Sequence, residues 1–142
     1  MDDFYRENIL DHYKNPRNHG HIDHPSAVAE GVNPLCGDEL AIELKVEDGI
    51  VTDVRYNGRG CAISQAAASM LSDAVKGKPV AELSEIGKDD VLDELGIPLS
   101  PIRLKCALLS VGVLKVALNQ LTGEPLPQEW ADGADGIEWK SA

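Results

Sequence analysis

Alternation of apolar and polar residues is sharpest in "LAIELKVEDGIVTDVRYNGRG", residues 40–60. Leu40, Ile42, Leu44 and Val46 alternate with Ala41, Glu43, Lys45 and Glu47, the pattern of a half-buried strand. Asp48-Gly49 supplies a hairpin turn, and a second alternating strand runs from Ile50 to Asn57, ended by Gly58 and Gly60. From Cys61 the period becomes helical. Ile63, Ala66, Ala67, Met70, Leu71 and Ala74 form one stripe, with Met70 and Leu71 as core residues and Gly77 closing the helix.

Upstream, residues 2–14 predict a helix with Phe4, Ile9, Leu10 and Tyr13 mostly on one face. Asp2 and Asp3 favour the positive end of that helix. "KNPRNHGH" then breaks it through Pro16 and Gly20. Residues 21–35 read as an extended loop, with 27–33 as a candidate third strand. Downstream, "KPVAELSEIGKDDVLDELGIPL" suggests two short helical pieces, the second ended by Gly96. Pro101 opens a long helix over 102–121, and Gly123 stops it. The order of elements predicts an α+β fold, a small antiparallel three-stranded sheet with helices packed on one face. The 142 residues suit a single domain, 1–142, in which residues 124–142 are a C-terminal tail.

A formal charge of −11 argues against nucleic acid and against an anionic membrane surface, because both demand an excess of Lys and Arg. No apolar run is long enough for a membrane span, and "MDDFYRENIL" lacks the basic and apolar regions of a signal peptide. The expected compartment is the cytoplasm, where thiols stay reduced. Self-association into a homo-oligomer is left open.

Three cysteines then change the picture. Cys36 lies in "NPLCGDEL", just before the first hairpin strand. Cys61 sits between the second strand and its helix, and Cys106 in the first turns of the long helix. An odd, widely spaced set is a poor disulfide framework. One reading is three buried structural thiols. The other is a shared metal site, for which Asp38 supplies a fourth donor. Four donors are what a closed zinc site takes, and what a [2Fe–2S] cluster takes, usually as thiolates. A carboxylate is a hard ligand for a soft centre, so its bond would be the weak one. A thiol at a helix start, as at Cys61, faces the positive end of the helix dipole. Arg103 and Lys105, close to Cys106, would offset part of the negative charge of either centre. His12, His19, His21 and His24 match no ligand template and read as surface or loop residues. Spacing alone does not choose between the two readings of the cysteines.

"ILDHYKNPRNHG", "NPLCGDEL", "GRGCAISQAAASML" and "RLKCALLSVGVLKVAL" together resemble the IscU/SufU family, the iron–sulfur assembly proteins related to the N-terminal domain of NifU. The resemblance runs from about residue 4 to about residue 121. It implies that Cys36, Asp38, Cys61 and Cys106 are the ligands of a [2Fe–2S] cluster or of Zn²⁺. It also implies a pyridoxal-phosphate (PLP)-dependent cysteine desulfurase as sulfur donor, with apo iron–sulfur proteins as recipients. Cys36 is then the persulfide acceptor, with Arg103 and Lys105 beside the site. IscU-type members carry a His before the third cysteine, whereas this chain has Lys105, as SufU-type members do. The insertion usual between the second and third cysteines of SufU-type members is missing. The resemblance therefore covers two roles, a cluster scaffold and a zinc-dependent sulfurtransferase.

Overall fold

The hairpin at Asp48-Gly49 organises the sheet. Strands β2 (Asp38–Glu47) and β3 (Ile50–Arg59) pair antiparallel around it. Asp48 has φ 53° and Gly49 φ 77°, the two left-handed residues in succession that a type I′ turn requires. In this computed structural model the described residues are 2–33, 37–83, 85–86, 90, 93, 101–123 and 138–141, with the backbone alone for 2–6, 8, 101–106 and 138–141.

The candidate third strand forms as β1 (Ala27–Asn33), antiparallel to β2, with Ala27 opposite Leu44 and Asn33 opposite Asp38. These three strands are the body of the sheet. A fourth, β4 (Glu138–Ser141), extends it on the far side of β1, giving the order β3-β2-β1-β4. Four residues are too few to display alternation, so β4 left no mark on the hydrophobic pattern. A bulge between Lys45 and Val46 places Lys45 opposite Asp53 and Val46 opposite Val51, which leaves Thr52 as the extra residue. The bulge shifts the phase of β3, so that Val51 is buried together with Val54 and Tyr56.

One face of the sheet is covered. Ala27 and Ala29, Leu40, Ile42 and Leu44, and Val51, Val54 and Tyr56 belong to one core with α2 (Ala62–Val75) and α4 (Pro101–Thr122). The intervening α3 (Val80–Leu83) adds the buried Leu83. Helix α4 is buried almost all round from Ala107 to Leu118, as expected of a helix touching β1, β2, β4 and α2 at once. Ala66, Ala67 and Ala68 leave room for that approach. The first helix, α1 (Asp2–Lys14), packs on α2 and forms an outer layer. Its buried stripe is accordingly narrower than the sequence pattern implied. Ile9 is in the core, while Leu10 and Tyr13 remain 39% and 47% exposed. The second short helical piece, toward Gly96, falls mostly outside the described residues.

The β3 edge of the sheet is closed by other parts of the chain. Along β3, Tyr56 exchanges backbone hydrogen bonds with Asn18 and Gly20, and Val51 with Gly77 and Lys78. The loop after α1 is stitched down by side chains. Asn18 Nδ2 donates to Ser72 Oγ and to Asp73 Oδ1, both at 3.0 Å, and Arg55 Nη1 donates to Asn18 Oδ1 at 3.1 Å. Among the described residues, no helix is long and apolar enough to cross a membrane.

Candidate metal centre

The apolar inner face of the sheet ends on a polar pair. Asn33, the last residue of β1, lies opposite Asp38, the first of β2, and the two are 0% and 1% exposed. Gly37 N–H donates to Asn33 O at 2.9 Å. A carboxylate buried this deeply requires a donor. It finds one on another element. β3 ends at Arg59, the chain passes through Gly60, and Cys61 becomes the N-cap of α2 with φ −70° and ψ 167°. The Cys61 backbone N–H donates to Asp38 Oδ1 at 3.1 Å.

That bond joins residues 23 positions apart. It also sets a negative group at the positive end of a 14-residue helix. A hydrogen bond to a charged acceptor contributes about 1.5–3 kcal/mol, and the helix end about 0.3–1 kcal/mol more. An N-cap residue ordinarily spends its own side chain on the helix N–H groups. Cys61 makes no such bond, so its half-buried, reduced thiol is left for other chemistry. Ser64 Oγ donates to Cys61 O at 3.0 Å and tightens the first turn. On the exposed side, Arg59 Nε and Nη2 reach the Glu39 carboxylate at 3.1 and 3.3 Å, tying the ends of β2 and β3 together.

The third cysteine arrives on α4. Gln120 is fastened to the start of β1: its Nε2 donates to Val28 O at 2.5 Å, and its Oε1 accepts from Val28 N–H at 3.2 Å. From Gln120 back to Cys106 the helix spans about 21 Å at 1.5 Å per residue. From Val28 to Asn33 the strand spans about 17 Å. Helix α4 lies against β1 and β2, and its run back to Cys106 is at least as long as the run of β1 to Asn33.

Of the residues singled out from sequence, the structure thus joins Asp38 and Cys61. Cys36 and the side chains of Arg103, Lys105 and Cys106 lie outside the described residues. Among the described residues, no three His, Cys, Asp or Glu side chains converge. The four histidines are spent separately. His12 Nδ1 shares a hydrogen bond with Ser69 Oγ at 2.8 Å, His19 meets the Tyr56 ring edge-on at 5.4 Å, and His21 Nδ1 donates to Glu43 at 2.8 Å. His24 turns the chain at φ 56°, and its carbonyl accepts from Lys45 Nζ at 3.1 Å. Sequence reasoning had no signal for Asn33. For Ser64, the one available cue was a hydroxyl three residues after the helix cap.

Thiolate and carboxylate are both zinc donors, and thiolates hold iron–sulfur clusters, so the described pair fits either centre. An antiparallel sheet backed by helices, with a buried acid bonded to the backbone of a cysteine at one end, defines a small α+β domain with a candidate metal site. The chain belongs to the family described as NifU-like N terminal domain, which it matches over residues 4–126.

Among curated relatives, it is 39% identical over 140 residues to the zinc-dependent sulfurtransferase SufU of Bacillus subtilis, covering 87% of this chain and 95% of that protein. It is 36% identical over 118 residues to the iron–sulfur cluster assembly scaffold protein IscU of Escherichia coli, covering 80% and 91%. Among solved structures, FiSufU from Fervidobacterium islandicum superposes with a TM-score of 0.69 at 30% identity, covering 79% of this chain and 94% of that one. The N-terminal part of a NifU-like protein from Brucella abortus gives 0.70 at 25% identity, covering 87% and 98%.

Proposed function

We propose that this chain is an iron–sulfur cluster assembly protein that takes persulfide sulfur from a PLP-dependent cysteine desulfurase. It uses that sulfur at a site made of Cys36, Asp38, Cys61 and Cys106. The observation that carries the reading is the bond from the Cys61 backbone to the buried Asp38 carboxylate. No packing requirement explains a buried acid capping the helix of a free thiol. Cys36 is two residues along the chain from Asp38, and Cys106 lies on α4, the helix packed against β1 and β2.

Sulfur transfer then has a simple balance. The Cys36 thiolate attacks the outer sulfur of the desulfurase persulfide. A new S–S bond forms on Cys36, the old one breaks, and the desulfurase cysteine leaves as a thiolate with no net redox change. Arg103 and Lys105 supply positive charge near the incoming persulfide. In the scaffold role, a [2Fe–2S] cluster is the cargo, built on the four ligands and handed to apo iron–sulfur proteins. Asp38 is the harder donor and the one most readily displaced.

Lys105 in place of a His before Cys106, together with the 39% identity to a zinc-dependent sulfurtransferase, favours a second reading. In it the same four residues would hold Zn²⁺, which would supply charge stabilisation of the thiolates, and the chain would relay sulfur without holding a cluster. Metal analysis of freshly purified protein and anaerobic reconstitution with iron and sulfide separate the two. A coloured, visible-absorbing product supports the scaffold, and a colourless protein with one tightly held zinc supports the relay. If triple Cys→Ser changes neither metal content nor desulfurase turnover, both readings fail.

A further inference from the structure

Gly60 stands where no side chain fits. A Cβ built on it would overlap Asp38 Oδ1 and lie 2.5 Å from Ser64 Oγ and 2.8 Å from Asp38 Cγ. Both neighbours are buried, Asp38 at 1% and Ser64 at 5% exposure, and both are tied to Cys61. Asp38 accepts from its N–H and Ser64 donates to its carbonyl. Gly60 itself is exposed on its other side, so its lack of a side chain is not a demand of core packing. The space beside its Cα is filled by the carboxylate.

We propose that Gly60 is a positioning residue for the metal site, and Ser64 the wall opposite. The missing Cβ at 60 leaves the space through which the Asp38 carboxylate reaches the N-terminus of α2, and Ser64 closes that slot from the helix side. Asp38 is thereby held at a fixed place beside Cys61, and the ease with which it moves onto or off a metal is set by a residue that touches no metal. This rests on the proposed four-ligand site. The mechanical part, Gly60 holding Asp38 against Cys61, is independent of any metal.

The test uses Gly60→Ala, Asp38→Ala and the double variant in the full chain. In metal-free protein, the Cys61 amide proton of wild type should resonate downfield through its bond to the carboxylate. It should move upfield in Gly60→Ala by as much as in Asp38→Ala, while amides further along α2 stay in place. In zinc- or cluster-loaded protein, Gly60→Ala should change the metal dissociation rate about 10-fold, the scale typical of residues that orient a ligand. In the Asp38→Ala background the same substitution should change the rate far less, since only the contact with the Ser64 hydroxyl remains. Should Gly60→Ala fold poorly, the double variant must recover most of the lost stability, because Asp38→Ala removes the carboxylate overlap and leaves only the Ser64 hydroxyl, which can rotate away.

An unshifted Cys61 amide, an undiminished effect of Gly60→Ala without Asp38, or no recovery in the double variant overturns the proposal. If wild type binds neither zinc nor cluster but the amide shifts follow the pattern above, the functional reading fails while the hold of Gly60 on Asp38 stands.

Discussion

Gly58→Ala tests the strand end that presents the site. Gly58 has φ +148° and lies opposite Leu40 in the β2–β3 ladder. That conformation is nearly exclusive to glycine and costs another residue about 1–3 kcal/mol. An added Cβ would also overlap Glu39 O and lie 2.9 Å from both Glu39 C and Leu40 Cα. These are backbone atoms, so no rotamer change relieves the clash. The ladder must open by one or two hydrogen bonds, at about 1 kcal/mol each. The expected loss is therefore about 2–5 kcal/mol, against a total of about 5–15 kcal/mol for a domain. Urea unfolding of metal-free protein, followed by far-UV circular dichroism, measures it directly, and Asp38→Ala should give no relief, in contrast to Gly60→Ala. The reasoning is refuted by a loss below about 1 kcal/mol, smaller than either contribution alone is meant to be.

Asn18→Ala removes donors to Ser72 and Asp73 and the acceptor for Arg55, and leaves alanine at φ 60°. It should cost about 1–3 kcal/mol and expose residues 15–24 to protease, and unchanged cleavage of that loop would show the stitching to be idle. Burial pushes the Tyr56 hydroxyl above the ordinary tyrosine range, with Ser69 partly opposing. Its contribution is complete below pH 10.0, the ordinary tyrosine value, and declines as the pH rises through the higher folded value, because the unfolded chain ionises first. Relative to wild type, Tyr56→Phe should flatten the loss of stability between neutral pH and pH 11, and parallel curves would contradict this. Asp38→Ala should lengthen cluster lifetime or slow metal exchange, since the readily displaced oxygen is gone. Identical lifetimes and zinc affinity would count against that role.

Much of the architecture could be read along the chain. The Asp48-Gly49 turn, the alternation on either side of it, the stripe after Cys61 and the helix opened by Pro101 are local signals, and each element formed within a residue or two of its expected span. The burial of α1 was misjudged because periodicity shows which residues are apolar and not which layer covers them, so Leu10 and Tyr13 remain outside. Glu43 shows the converse. Its place in the alternation marks it as solvent-facing, yet it is 7% exposed because His21 and the Ile22 N–H close over it.

What the sequence by itself determined was most of the elements, the family, and which residue types were available as donors, since propensity, turn chemistry and motif blocks act over short stretches. The resemblance implied that Asp38 and Cys61 share a site, and only the tertiary structure decided that they meet through the Cys61 backbone N–H. It also decided that Gly60 and Ser64 shape their meeting, and that residues 138–141 complete the sheet. Those outcomes depend on strand register and on how α2 leaves the end of β3. Contacts between distant residues are set by where the backbone hydrogen bonds of the whole sheet can close.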